Sequence, residues 1–79
     1  NTHLDDVRFF LTGAQLRSGQ NEAAIATALE MVERDAVIEY PQAYQFLGAA
    51  YANTGDFASS AKYFRQFLKA SPNAWPIRP

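Results

Sequence analysis

The residues able to do covalent chemistry are few. There is one histidine, His3, at the start of the chain, and no cysteine, so neither a Ser–His nor a Cys–His pairing has a natural place to form. The acid pairs Asp5–Asp6 and Glu30–Glu33 have the right type for general acid–base work, but carboxylates on a helix surface are ordinary solvating groups. A free amine followed by Thr2 and His3 is a copper or nickel chelator through amine, amides and imidazole, provided that Asn1 is the true start. Lys62, Arg65 and Lys69 could meet phosphates, yet a basic stripe at helical spacing is usually just a solvated face. No glycine-rich phosphate loop is present. The inventory points away from an enzyme, implies no cofactor or metal, and leaves binding as the main class of function.

The whole chain has 79 residues, 48% hydrophobic and 19% charged. That is a globular mixture, but one long enough to bury only about 60% of its unfolded surface, so marginal stability and added contacts are expected. No apolar run reaches the roughly 18 residues of a membrane helix. A soluble protein without membrane insertion is expected, and without cysteine both the cytoplasm and a periplasm or lumen are compatible. A chain starting at Asn1 is also compatible with a removed leader or with a piece of a longer array. Net charge is −1 but unevenly spread. Residues 1–40 set three arginines against seven acids, a net −4, and residues 41–79 set Lys62, Arg65, Lys69 and Arg78 against Asp56, a net +3. A nucleic-acid partner would call for a consistently basic surface; a split charge suits either internal neutralisation or association of one copy with another.

Helical punctuation divides the chain into four segments, near 4–18, 21–37, 41–54 and 57–70. Thr2 and Asp5 have the form of a capping box, and Gly19 closes the first helix. Asn21 is expected to cap the second, which carries Ile25, Ala28, Leu29, Val32 and Ala36 at helical spacing. Pro41 opens the third, Gly55 closes it, and Asp56 caps the fourth. Phe57, Ser60, Ala61, Phe64, Phe67 and Leu68 then lie on one stripe of a strongly amphipathic helix. Nothing reads as a strand. Links this short require antiparallel hairpins.

The stretch PQAYQFLGAAYANTGDFASSAKYFRQFLKASP, residues 41–72, resembles a tetratricopeptide repeat. Tyr44, Leu47, Gly48, Tyr51, Ser60, Phe64 and Pro72 match its W-x-x-L-G-x-x-Y, A-x-x-x-F and P framework, with Tyr for Trp and Ser for Ala. Gly48 and Ser60 are small where two helices would cross. Phe9, Gly13, Leu16, Ala24, Ala28 and Met31 form a weaker copy in the first half, with Thr12 in the leucine's place, Ala36 for the proline and a shorter turn. The resemblance implies an all-α fold, a single domain of two hairpins stacked in a short right-handed superhelix. Its first repeat is residues 5–40, its second 41–74, and an extended tail follows at 75–79.

By the same resemblance, the first helix of each hairpin lines a concave groove that takes a peptide or helix of a partner. The groove positions are Val7, Phe10, Leu11, Ala14 and Arg17, with Gln42, Gln45, Phe46, Ala49 and Asn53. Some chaperone-binding relatives hold a terminal carboxylate here with Lys, Asn and Arg; Phe10, Ala14 and Phe46 stand at comparable places in this chain, so apolar anchors are expected instead. Val7, Phe10, Leu11 and Ala14 form a second apolar face on the first helix, which either meets a partner or packs on the third helix. Trp75 and Ile77 could cover the open end of the last hairpin or serve as a ligand. The expected role is an adaptor, scaffold or assembly factor with a protein partner; the alternative is an oligomerisation or docking unit with no separate ligand.

Overall fold

The computed structural model describes residues 2–70, with side chains from Leu4 onward. Four α-helices follow one another: α1 Thr2–Arg17, α2 Asn21–Glu33, α3 Gln42–Thr54 and α4 Phe57–Ala70, with a 3₁₀ turn at Ala36–Ile38 before α3. No strand occurs among the described residues. The expected tail, with Pro72, Trp75 and Ile77, lies outside them.

Each helix packs chiefly on its neighbours in sequence, and α1 also reaches α3. A closed four-helix bundle would pair α1 with α4. Here that pairing is marginal at most, so the two hairpins stack side by side as expected.

Both hairpin turns use the same device. Gly19 and Gly55 take φ of +81° and +89°, the left-handed conformation that glycine adopts without penalty. Behind them, Gln20 N–H donates to Gln15 O at 2.8 Å and Gly19 N–H to Leu16 O at 3.1 Å, matched by Asp56 to Tyr51 O at 2.9 Å and Gly55 to Ala52 O at 3.1 Å. The residue after each glycine both finishes one helix and starts the next. In the second hairpin Asp56 is suited to this, its carboxylate accepting from Ser59 N–H at 3.1 Å. In the first, the position falls to Gln20, which makes no side-chain cap; Asn21, the expected cap, is already helical. Thr2 is likewise inside α1 and not ahead of it.

The second helix also stops sooner than its apolar spacing suggests. α2 ends at Glu33, and Asp35 adopts φ 59°, a left-handed turn that Asp tolerates better than most residues. That turn swings Ala36 and Val37 inward, where they are buried beside Met31 and Ala43. The link to Pro41 is thus taken up partly by a 3₁₀ turn, not by more α-helix.

The seam between hairpins is made of small side chains. Ala24, Ala28, Ala43 and Ala50 are buried with Met31 and Leu47. Thr12, in the leucine's place, is equally buried, and its hydroxyl donates to Arg8 O at 2.7 Å, so it carries no unpaired donor into the core. Thr27 donates to Gln15 Oε1 at 2.9 Å, joining α1 to α2. Asp5 accepts from Arg34 Nε at 3.3 Å across the same hairpin.

Gly48 is buried as expected, but the space it leaves is taken by Phe64 more closely than by Ser60. A Cβ on Gly48 would lie 2.8 Å from the Phe64 ring, whereas one on Gly13 would meet Phe46 at 3.5 Å. Alanine gains about 1 kcal/mol of helix propensity over glycine at either site. Gly13→Ala should therefore stabilise the protein in urea unfolding. Gly48→Ala should destabilise it, and should become stabilising in a Phe64→Ala background. Equal gains at the two glycines would show that Phe64 does not fill this space.

Tyr63 stacks on Tyr51 at 5.7 Å and on Tyr44 at 6.3 Å, tying α3 to α4. Burial raises the Tyr51 phenol above its ordinary 10.0, and the nearby Tyr63 and Asp56 add to the shift. The folded state thus holds that proton more tightly than the unfolded one. The resulting stability is present below the unfolded value and lost as pH rises through the folded one. Tyr51→Phe should flatten the alkaline limb of a stability-versus-pH curve above about pH 10; an unchanged limb would contradict the assignment.

Candidate interaction groove

Position on α1 decides what each side chain can reach. Phe9, Thr12, Gly13 and Leu16 face the rest of the fold, and their counterparts thirty-five residues later are Tyr44, Leu47, Gly48 and Tyr51 on α3. On the same count, Val7, Phe10 and Ala14 correspond to Gln42, Gln45 and Ala49, and Leu11 corresponds to Phe46.

Phe10 is the most exposed aromatic of α1, with 71% of its surface accessible, although its ring meets Phe9 edge-on at 5.9 Å. Val7, Leu11, Ala14 and Arg17 are also exposed on this helix. On α3, Gln42, Gln45 and Asn53 are exposed and Ala49 is half-buried. The amide of Asn53 donates to Asn21 Oδ1 at 3.0 Å, so part of its capacity is spent on the start of α2.

Phe46 differs from the other groove positions. Its ring stacks on Phe9 at 5.3 Å and lies over Gly13. Phe9 is in turn stacked on Tyr40 at 4.8 Å. Phe46 is therefore a plug between hairpins, seated in a notch that Gly13 leaves open. Of the expected groove positions, Val7, Phe10, Leu11, Ala14, Arg17, Gln42, Gln45 and Asn53 are exposed, which leaves both apolar side chains and amide donors and acceptors at the surface. Among the described residues no group of three or more His, Asp or Glu side chains could hold a metal ion, and no helix is long and apolar enough to cross a membrane.

A family model described as Tetratricopeptide repeat matches residues 41–74. This chain carries a tetratricopeptide repeat. No curated protein and no solved structure matches the chain. Within the repeat, Gly48 meets Phe64, Tyr44 and Tyr51 stack on Tyr63, and Leu47, Gly48 and Ser60 are buried. Its amphipathic second helix is less covered than its stripe suggests: of that stripe only Ser60 is buried, while Phe57, Ala61, Phe64 and Leu68 are exposed.

The ion-pair clamp of Asp5, Arg8, Glu30 and Arg34 was not legible beforehand. Its members lie up to twenty-nine residues apart, and only the hairpin geometry brings them together. The seat of Phe46 had a faint signal in Gly13, a glycine inside an otherwise good helix, which marks a close approach.

These placements separate two phenylalanines that periodicity alone treats alike. Phe46→Ala should cost about 2 kcal/mol or more, as loss of a packed aromatic does, while Phe10→Ala should stay within about 0.5 kcal/mol. Thermal unfolding of both variants tests this. Equal losses would place Phe10 in the core.

Proposed function

We propose that the chain is a protein-interaction module whose α1–α3 face takes a peptide or helix segment of a partner, and that it performs no catalysis. Tetratricopeptide repeats in general mediate contacts between proteins. The observation that supports a groove on this face is Phe10, a large aromatic left 71% exposed on a helix where Val7 and Ala14 are exposed too, with Gln42 and Gln45 exposed on α3. Such an anchor gains most from being buried by a ligand, since a few apolar and aromatic side chains carry the bulk of binding energy. The amides then pair with a backbone or with polar side chains that flank the buried ones, the pattern expected for an amphipathic helix or an extended apolar segment. A terminal carboxylate is a poor match, because the exposed cation of this face, Arg17, stands among apolar and amide neighbours.

The alternative role, a docking or oligomerisation unit without a separate ligand, differs in one respect: Phe10 would then be covered in the assembled form. Peptide selection from a displayed random library tests the groove. Enriched sequences should carry apolar residues at helical or alternate spacing, and their affinity should fall at least tenfold on Phe10→Ser with the helical circular dichroism unchanged. No enrichment, or binding indifferent to Phe10→Ser, would reject the reading.

A further inference from the structure

The chain contains its own template for what belongs on its last hairpin. Within the molecule, α3 lays Phe46 into a notch formed by Gly13 and Phe9, and the α2 residues on the inner side of that hairpin, Ala28 and Met31, are fully buried. Moving one hairpin along, Gly13 becomes Gly48, Phe9 becomes Tyr44, and Ala28 and Met31 become Phe64 and Phe67. Here none of the described residues supplies the cover. Phe64 is 37% exposed and Leu68 38%, and with Phe67 and Gln45 they border an apolar hollow of about 300 Å³, room enough for one branched side chain and its helix backbone.

The complementary surface is at the other end. The α1 residue equivalent to Phe46 is Leu11, 45% exposed. It lies on a strip with Leu4, Val7 and Ala14, spaced i, i+3, i+7 and i+10 on the side of α1 opposite Phe9 and Leu16, and all four are exposed. We infer that a second copy of this chain docks there, α1 of one molecule packing on α4 of another with Leu11 in the hollow bordered by Gln45, Phe64, Phe67 and Leu68.

Charge favours a copy in this polarity. All three ion pairs found among the described residues, Arg8–Asp5, Arg8–Glu30 and Arg34–Asp5, lie within the first hairpin. Residues 2–40 retain a net −4, and α3 with α4 carries Lys62, Arg65 and Lys69 against Asp56, a net +2. Arg8, on the docking edge of α1, is held by acids of its own hairpin. The first half of one molecule is thus attracted to the second half of the next, and two like ends repel. Because the two surfaces differ, the contact is head-to-tail and does not close on itself, so association builds open chains.

Val7, Leu11, Ala14 and Gln45 border both this contact and the Phe10 groove, but Phe64, Phe67 and Leu68 belong to this contact alone, and the Leu11 and Leu68 variants test it without touching Phe10. The test is sedimentation velocity of the full 79-residue chain across a wide concentration range, with Leu11→Glu and Leu68→Glu variants. Wild type should grow from monomer to dimer and longer species. Each variant alone should remain monomeric, having lost one end, and an equimolar mixture should form a heterodimer and stop there, since each partner keeps the end that the other lacks. Because the protein has no cysteine, Leu11→Cys and Leu68→Cys provide milder substitutions. Mixed and oxidised, they should form the mixed disulfide in preference to either homodimer. A wild-type monomer at every concentration would overturn the proposal, as would a mixture of the Glu variants that fails to associate or a dominant Leu68→Cys homodimer. A segment of the same chain seated in the hollow would give the first of these results.

Discussion

Two helices can approach only as far as the largest side chains between them permit, and in this protein the seam between hairpins is lined by Ala24, Ala28, Ala43 and Ala50. Small residues bring the backbones close, so that few side chains need to be large for the interior to be full. Met31 and Leu47 fill the remaining volume. The polar groups caught in this seam are hydroxyls that bond within or between the first two helices, as Thr12 and Thr27 do. Everything outward of the seam, including which aromatic rings point where, depends on that approach.

The two buried glycines show how one notch can be filled from two directions. At Gly13 the filler is Phe46, delivered by the following hairpin; at Gly48 it is Phe64, delivered by the partner helix of the same hairpin. The difference traces to the facing helix, where the first hairpin has Ala28 and the second has Phe64. A small residue there leaves the notch for a neighbour to plug and so ties two hairpins together. A large one seals most of the notch but leaves its own ring partly uncovered.

The helices and their hairpin pairing could be read from the sequence because they rest on local chemistry: glycines in left-handed turns, a proline at a first turn, Asp56 as a cap. Part of the second hairpin's framework rests on similarly local contacts, Gly48 against Phe64 and Tyr44 and Tyr51 against Tyr63. What escaped was set by competition. Asp35 could have continued α2, and its apolar spacing said so, but burying Ala36 and Val37 against Met31 and Ala43 outweighed additional helix. Gln20 holds a cap position because the glycine turn leaves no room for Asn21 there. Phe46 and Phe10 both fall on expected groove positions; the position of Gly13 across the hairpin junction makes Phe46 a plug, while Phe10 stays on the surface.

The order of contacts along the chain has a kinetic side. Since α1 meets α2, α2 meets α3 and α3 meets α4, while the pairing of the two outer helices is marginal, nearly all of the packing joins segments close in sequence. Loop-closure entropy is small for such contacts, which places the chain among fast folders. The middle pair, α2 and α3, has a helix on either side, whereas α1 and α4 are flanked less completely. Native-state opening should then begin at the two outer helices, and amide protons of α2 and α3 should exchange last.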